Sequence, residues 1–295
     1  MKSAAALLAL LLVLGTGLPA AADDWTDARN EFRSWIRSER WQDRASAYQT
    51  LLDYDGAKAF QEVLSAALKE KNPRVQLAAM KVVGQFRSPE AQAVFLKQLS
   101  QPKSSKGLFL LMALAGTPGD FGVPRLLEVL RGKDAQPAAL AANALGAKSV
   151  EAGLVPLTAA LQHKAWQVAA AAARGLKAMA WSELTKPDKK SGKEPEPKMP
   201  AWFDEEKVVR PLVDTLENAR GVLRGDLIEA LEKITRKDYG DNHAAWVAHA
   251  QGEEVTEALL ALRKHPPYFF GLPVYGERIV VVFDASVLSE NVHPF

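Results

Sequence analysis

Residues 135–161 read AQPAALAANALGAKSVEAGLVPLTAAL. Two short apolar runs lie in this stretch. The first passes through Ala141, Ala142 and Leu145, the second through Leu154, Leu157 and Leu161. Steps of three and four put each set on one face of a helix. A pair of helices this short cannot bury its apolar face alone, so it requires neighbours of the same kind. Those neighbours are present. Leu145 belongs to a ladder of Leu52, Val83, Leu114, Leu145 and Leu176, spaced by 31 residues each time.

Two more ladders keep the same step: Leu68, Leu99, Leu130 and Leu161, then Leu64, Phe95, Leu126 and Leu157. All three then jump by 55 residues, to Leu231, Leu216 and Leu212, so 24 extra residues lie between Leu176 and Leu212. An internal period of this length is the mark of a repeat architecture. In the second unit the two runs are Val75 to Phe86 and Glu90 to Leu99, read here as one hairpin. Pro73 and Pro89 suit first helical positions. Gly84, Gly116 and Gly146 fall near first-helix ends, where a left-handed cap favours glycine. The Ala-rich faces, as in Ala169 to Ala173, allow close helix approach and bury less area per residue than leucine.

The pattern resembles the HEAT repeat in a short form, most clearly at Ala141-Ala142-Asn143-Ala144-Leu145-Gly146 and Leu154-Val155-Pro156-Leu157. That resemblance implies an all-α chain, a right-handed α-solenoid of HEAT-like hairpins over residues 41–252. It says almost nothing about chemistry.

Composition narrows the function. The chain has 295 residues, no Cys and a formal net charge of +2. Disulfide scaffolds, thiolate metal sites and cysteine nucleophiles are excluded, and the balance gives no whole-molecule case for a nucleic-acid partner. Residues 1–22 carry Lys2, an apolar run from Ala4 to Val13 and Ala20-Ala21-Ala22, which reads as a secretory signal cleaved after Ala22. The expected location is periplasmic or extracellular, with no membrane span after cleavage.

The flanks differ from the repeats. Residues 23–40 read as an N-terminal capping helix, with Phe32, Trp35 and Ile36 on one face. The insertion, residues 184–204, holds five Lys and four Pro between Thr185 and Pro200, a solvated loop composition. It falls inside one hairpin on this reading, with Trp202 and Phe203 at its exit as a candidate partner-binding anchor. Lys237-Asp238-Tyr239-Gly240-Asp241-Asn242, before Ala245-Trp246, resembles the capping turn and helix that end such arrays, with Asp241 as an N-cap.

Residues 253–275 read as a helix and a Pro/Gly/aromatic linker. Residues 276–295 contain Arg278-Ile279-Val280-Val281-Val282-Phe283-Asp284-Ala285-Ser286. This short extended segment resembles the first strand and metal-binding turn of a von Willebrand factor type A domain, cut short at Phe295. The resemblance implies magnesium on Asp284, Ser286 and Ser289. Leu288, which has no oxygen to donate, stands where that family has its second serine.

No H-E-x-x-H, G-x-S-x-G or phosphate-cradling loop occurs, so no catalytic residue is assigned. The expected function is an exported, non-enzymatic scaffold whose partner is another protein and which needs no cofactor. The alternative is a metal-dependent adhesion protein acting through the type A segment. The third is an enzyme similar to the bilin lyases, which also use short HEAT-like repeats.

Overall fold

The computed structural model describes residues 22–117, 119–184, 197–261, 268–269 and 272–273. Among them the fold is all-α. Its fourteen helices are α1 (Ala22–Trp35), α2 (Trp41–Ala47), α3 (Ala57–Ala67), α4 (Pro73–Val83), α5 (Pro89–Gln98), α6 (Ser105–Leu114) and α7 (Val123–Leu130); then α8 (Ala135–Lys148), α9 (Leu154–Ala160), α10 (Trp166–Met179), α11 (Glu205–Leu216), α12 (Gly221–Thr235), α13 (His243–Ala250) and α14 (Glu257–Leu260). A 3-10 segment, Tyr48–Tyr54, extends α2. A second 3-10 segment, Glu151–Gly153, precedes α9, and two antiparallel pairs of two residues complete the description: β1 (Glu183–Leu184) with β2 (Pro197–Lys198), and β3 (Tyr268–Phe269) with β4 (Leu272–Pro273). The segment expected to be a type A strand, 276–295, and all but Ala22 of the expected signal, 1–22, lie outside the described residues.

The helices form two rows. In the first, α2, α4, α6, α8, α10 and α12 each pack on the next. In the second, α3 packs on α5, α7 on α9, α9 on α11 and α11 on α13. Between the rows the packed pairs are α3–α4, α5–α6, α7–α8, α9–α10 and α11–α12. This is one helix out of phase with the hairpin expected from Val75 to Phe86 and Glu90 to Leu99. The insertion therefore falls between the α9–α10 and α11–α12 pairs, not inside a pair. Every ladder residue is buried except Leu52 and Leu68, which are half-buried.

Helix starts follow local chemistry. Pro73 and Pro89 are first helical residues, behind the caps Asn72 and Ser88. The Asn72 side chain accepts from Arg74 N at 2.9 Å, and Ser88 Oγ accepts from Ala91 N at 3.1 Å. Asp55 adds a second cap to α5 by accepting from the Arg87 and Ser88 N–H groups. Such caps satisfy amides that the helix itself leaves orphaned.

The glycines serve a different purpose from the one expected. Gly84 ends α4 in right-handed conformation, and Gly146 lies inside α8, whose left-handed cap is Ser149. A Cβ at Gly84 would lie 2.8 Å from Ala113 O, and one at Gly146 would lie under 3 Å from Gly175 Cα. These residues let neighbouring helix backbones touch.

At the N-terminus, α1 packs on α2 and on the 3-10 segment. Phe32 is fully buried and meets Tyr48 edge-on at 5.6 Å, and Trp25 meets Tyr54 at the same distance. Trp35 does not share that face: it is 46% exposed, its indole N–H held by Glu31. Glu62 of α3 receives both Arg29 and Arg33 of α1. At the other end Asn242, not Asp241, caps α13, by accepting from Ala245 N. Asp241 instead pairs with Arg224. Trp246 is fully buried, its indole N–H donating to Gly240 O at 2.9 Å.

Candidate interaction face

The outer side of the first row has an unusual charge pattern. Helices α4, α6, α8 and α10 contain Arg74, Lys81, Lys106, Lys148, Arg174 and Lys177, and no acidic residue. The second row mixes signs, with Lys58 and Glu62 on α3, Glu90 and Lys97 on α5, and Arg125 and Glu128 on α7.

The six cations have different surroundings. Arg174 reaches Asp226 at 2.5 Å and Lys177 reaches Glu229 at 2.7 Å, both across the α10–α12 seam. Burial pushes the Asp226 carboxyl above its ordinary pKa; Arg174 opposes this without overcoming it, and Glu229 adds to the rise. Lys148 donates to Thr117 O, Thr117 Oγ1 and Gly119 O, closing the loop after α6. Burial holds its ammonium below the usual lysine range, partly offset by Asp120. Lys106 donates to the Gln98 amide oxygen. Arg74 lies over the Trp41 ring at 5.4 Å. Among the described residues, neither Arg74 nor exposed Lys81 makes an ion pair.

Between these charges runs an apolar stripe. Leu77, Leu108 and Ala139 are one repeat step apart on α4, α6 and α8, with Met112 and Leu140 beside them. Leu77 is 53% and Met112 40% exposed, while Leu108, Ala139 and Leu140 are half-buried. The same step leads on to Ala170 and Gly225, both buried. The stripe is thus open over α4–α8 and closed where the ion pairs bridge α10 to α12.

Other places in the described residues offer less. A shallow cleft of about 270 Å³ near α7 is lined by Pro102, Arg125, Glu128, Val129 and Asp134, among others. Its charges are already engaged: Arg125 holds Glu128 and the Leu99 and Ser100 carbonyls, and Asp134 pairs with Lys103. His163 accepts from Ala165 N, His243 contacts Val213 O, and His249 stacks edge-on with Tyr239 and Trp246. Among the described residues no three His, Asp or Glu side chains group as metal ligands. No helix there is long and apolar enough to cross a membrane.

The residues expected to form sites divide in two. Phe203 is 6% exposed and joins the core, with Trp202 half-buried beside it at a ring separation of 6.2 Å. They tie the chain's return into α11 to the core, and only part of the Trp202 ring meets solvent. Asp284, Ser286 and Ser289 lie outside the described residues. The Leu77–Leu108–Ala139 stripe is not among the residues the sequence singled out, although it keeps the 31-residue step, because a fourth ladder of ordinary apolar residues does not by its spacing reveal that it faces out.

No family model matches this chain, and no curated protein matches it. Among solved structures it is similar to one described as an engineered protein, 17% identical, with 71% of this chain and 97% of that chain covered and a TM-score of 0.38.

Proposed function

We propose that this chain is an exported, non-enzymatic scaffold, a right-handed α-solenoid of HEAT-like hairpins, that binds another protein on the outer face of its first row. The observation that carries the reading is the open apolar stripe. Leu77 and Met112 stand exposed on helices that already have a continuous core behind them, so they are surplus to folding. Apolar residues in a line, rimmed by polar ones, are the usual make-up of a binding face. Stacked short helices supply such a face over a long span. The leader-like composition of residues 1–22 supports export.

The test is site-specific photo-crosslinking in the source cells. A photoreactive residue replaces Met112 on α6 in one variant and Val155 on α9 in another. A defined protein adduct from position 112, weakened by Leu77→Ser and weaker from position 155, is the expected result. Equal adducts from both positions, or none from 112, would overturn the proposal.

A further inference from the structure

We infer that the segment bound on this face is an acidic, extended peptide with an apolar side chain at about every third residue, lying across α4, α6 and α8. The inference rests on the protein-binding reading above and adds the chemistry of the partner.

The charge argument comes first. Helices α4, α6, α8 and α10 carry six basic residues and no acid. Arg174 and Lys177 are neutralised by α12, and Lys148 is turned into its own loop. Among the described residues Arg74 and Lys81 pair with no carboxylate, and they sit three before and four after Leu77 on the same exposed side of α4. They flank the stripe at its open end. Complementary charge there comes from acidic residues on the ligand, which steer encounter and fix register.

The spacing argument is independent. Packed helices lie about 8–10 Å apart. Leu77, Leu108 and Ala139 repeat once per helix, and the contact under Gly84 keeps α4 and α6 close. An extended polyproline II chain rises about 3.1 Å per residue with three residues per turn, so every third side chain returns to the same face about 9 Å further on. A helical ligand would have to use positions i and i+7, about 10.5 Å apart, and would leave the turn between them without an apolar partner on the stripe. Nucleic acid is a poor match. Two cations, one of them already over the Trp41 ring, beside exposed leucine and methionine do not resemble a phosphate track, and the whole-chain charge is only +2.

The test uses the full chain and fluorescein-labelled peptides of about ten residues, read by anisotropy at low salt. The probe repeats two acidic residues and one leucine. It should bind, weaken about tenfold in the Arg74→Glu, Lys81→Glu double variant and about fivefold in Leu77→Ser, and be unaffected by Lys97→Glu on α5. Equal binding of a lysine-for-acid peptide, lost in Leu77→Ser, would overturn the acidic ligand and leave the protein-binding reading standing. Tighter binding of the same composition in helical spacing would overturn the extended geometry. Tighter binding of single-stranded DNA or of anionic vesicles through Arg74 and Lys81 would overturn both the inference and the reading beneath it. Binding of none of these probes would also overturn the inference, and the crosslink from position 112 then decides the reading separately. Unchanged circular dichroism of each variant secures the comparison.

Discussion

Gly146 of α8 lies so close to Gly175 of α10 that a Cβ on the first would fall under 3 Å from the second's Cα. The two helices meet backbone to backbone, flanked by the buried alanines 141, 142, 171 and 172. Replacing a mid-helix glycine by alanine normally stabilises by about 1 kcal/mol, because alanine loses less backbone entropy. Here the sign reverses. Gly146→Ala forces main chain against main chain and should cost about 1–3 kcal/mol net. At Gly175 the nearest obstacle to a Cβ is Ala142 O at 3.1 Å, which asks for a smaller shift. Gly175→Ala should cost clearly less than Gly146→Ala. Urea unfolding followed by circular dichroism checks the order, and a stabilised Gly146→Ala would show that the contact is not tight.

The α10–α12 seam makes a prediction about charge. The Asp226 side chain is only 13% exposed, while Arg174 is 39% exposed. Removing Arg174 strands a carboxylate in a poorly solvated site, whereas removing Asp226 leaves a guanidinium that still reaches water. Arg174→Met should therefore lose about 1–3 kcal/mol at pH 7, and Asp226→Asn should be near neutral. The pH dependence follows from the raised Asp226 pKa, driven by burial. A carboxyl raised in the fold contributes stability that is fully present below its unfolded pKa and is lost as pH rises through the folded one. The Arg174→Met deficit should shrink as the pH falls into the carboxylate range, and Asp226→Asn should remove that acid-side gain. Thermal melts of both variants from pH 7 to pH 4 measure it.

Lys148 is an ammonium that clasps a loop of its own row. Its three bonds end on the loop after α6, where Thr117 is 6% exposed. Lys148→Met keeps the aliphatic packing and removes the donor, leaving the Thr117 and Gly119 carbonyls short of a partner. A loss of about 1–2 kcal/mol is expected. Faster hydrogen exchange should appear in the loop and at the end of α6, read by mass spectrometry. No change at those amides would mean that water replaces the clasp without cost.

What was legible in the sequence is the side of each helix that faces inward. The ladders through Leu145, Leu161 and Leu157 repeat because each helix must bury the same positions against its neighbours, and those residues are buried. The pairing phase was not legible. Periodicity marks the apolar face of α4 without saying whether α3 or α5 lies closest, since that depends on how the turns direct the chain. Gly146 illustrates a second limit: a glycine near a helix end reads equally as a cap or as a close approach, and only the neighbouring helix decides. Trp35 shows a third, because an aromatic residue one position off the buried stripe still has helical spacing to it. For the candidate face, Trp202 and Phe203 stood out by aromaticity, whereas the Leu77 stripe is composed of ordinary residues and emerges from their alignment across helices.

The N-terminal helix should release in acid before the array does. Two carboxylates hold this end. Burial alone would raise the Glu62 pKa, but its hydrogen bonds from Arg33 and Arg29 of α1 outweigh that and hold it below the ordinary value. Glu70 behaves alike: burial raises it, and the Asn72 and Lys71 N–H groups with Arg44 bring it net downward. The same surroundings act oppositely on Tyr48, whose hydroxyl is pushed up to about 12 by burial and by Glu70. A carboxyl lowered in the fold contributes stability that is present above its unfolded pKa and is lost as pH falls through the folded one. Both contributions therefore vanish on acidification. Once Glu62 is protonated, α1 keeps the apolar contacts of Phe32 and Trp25, but its Arg29 and Arg33 lose the carboxylate that compensated them. Hydrogen exchange of α1 should accelerate below the ordinary carboxylate pKa, at a pH where α8 and α10 stay protected by their buried alanine contact. Glu62→Gln should give α1 that fast exchange already at pH 7 and remove most of its further acceleration in acid. If α1 and α8 instead opened together at every pH, α1 would be one cooperative unit with the array, and the two arginine pairs would not be what fastens it.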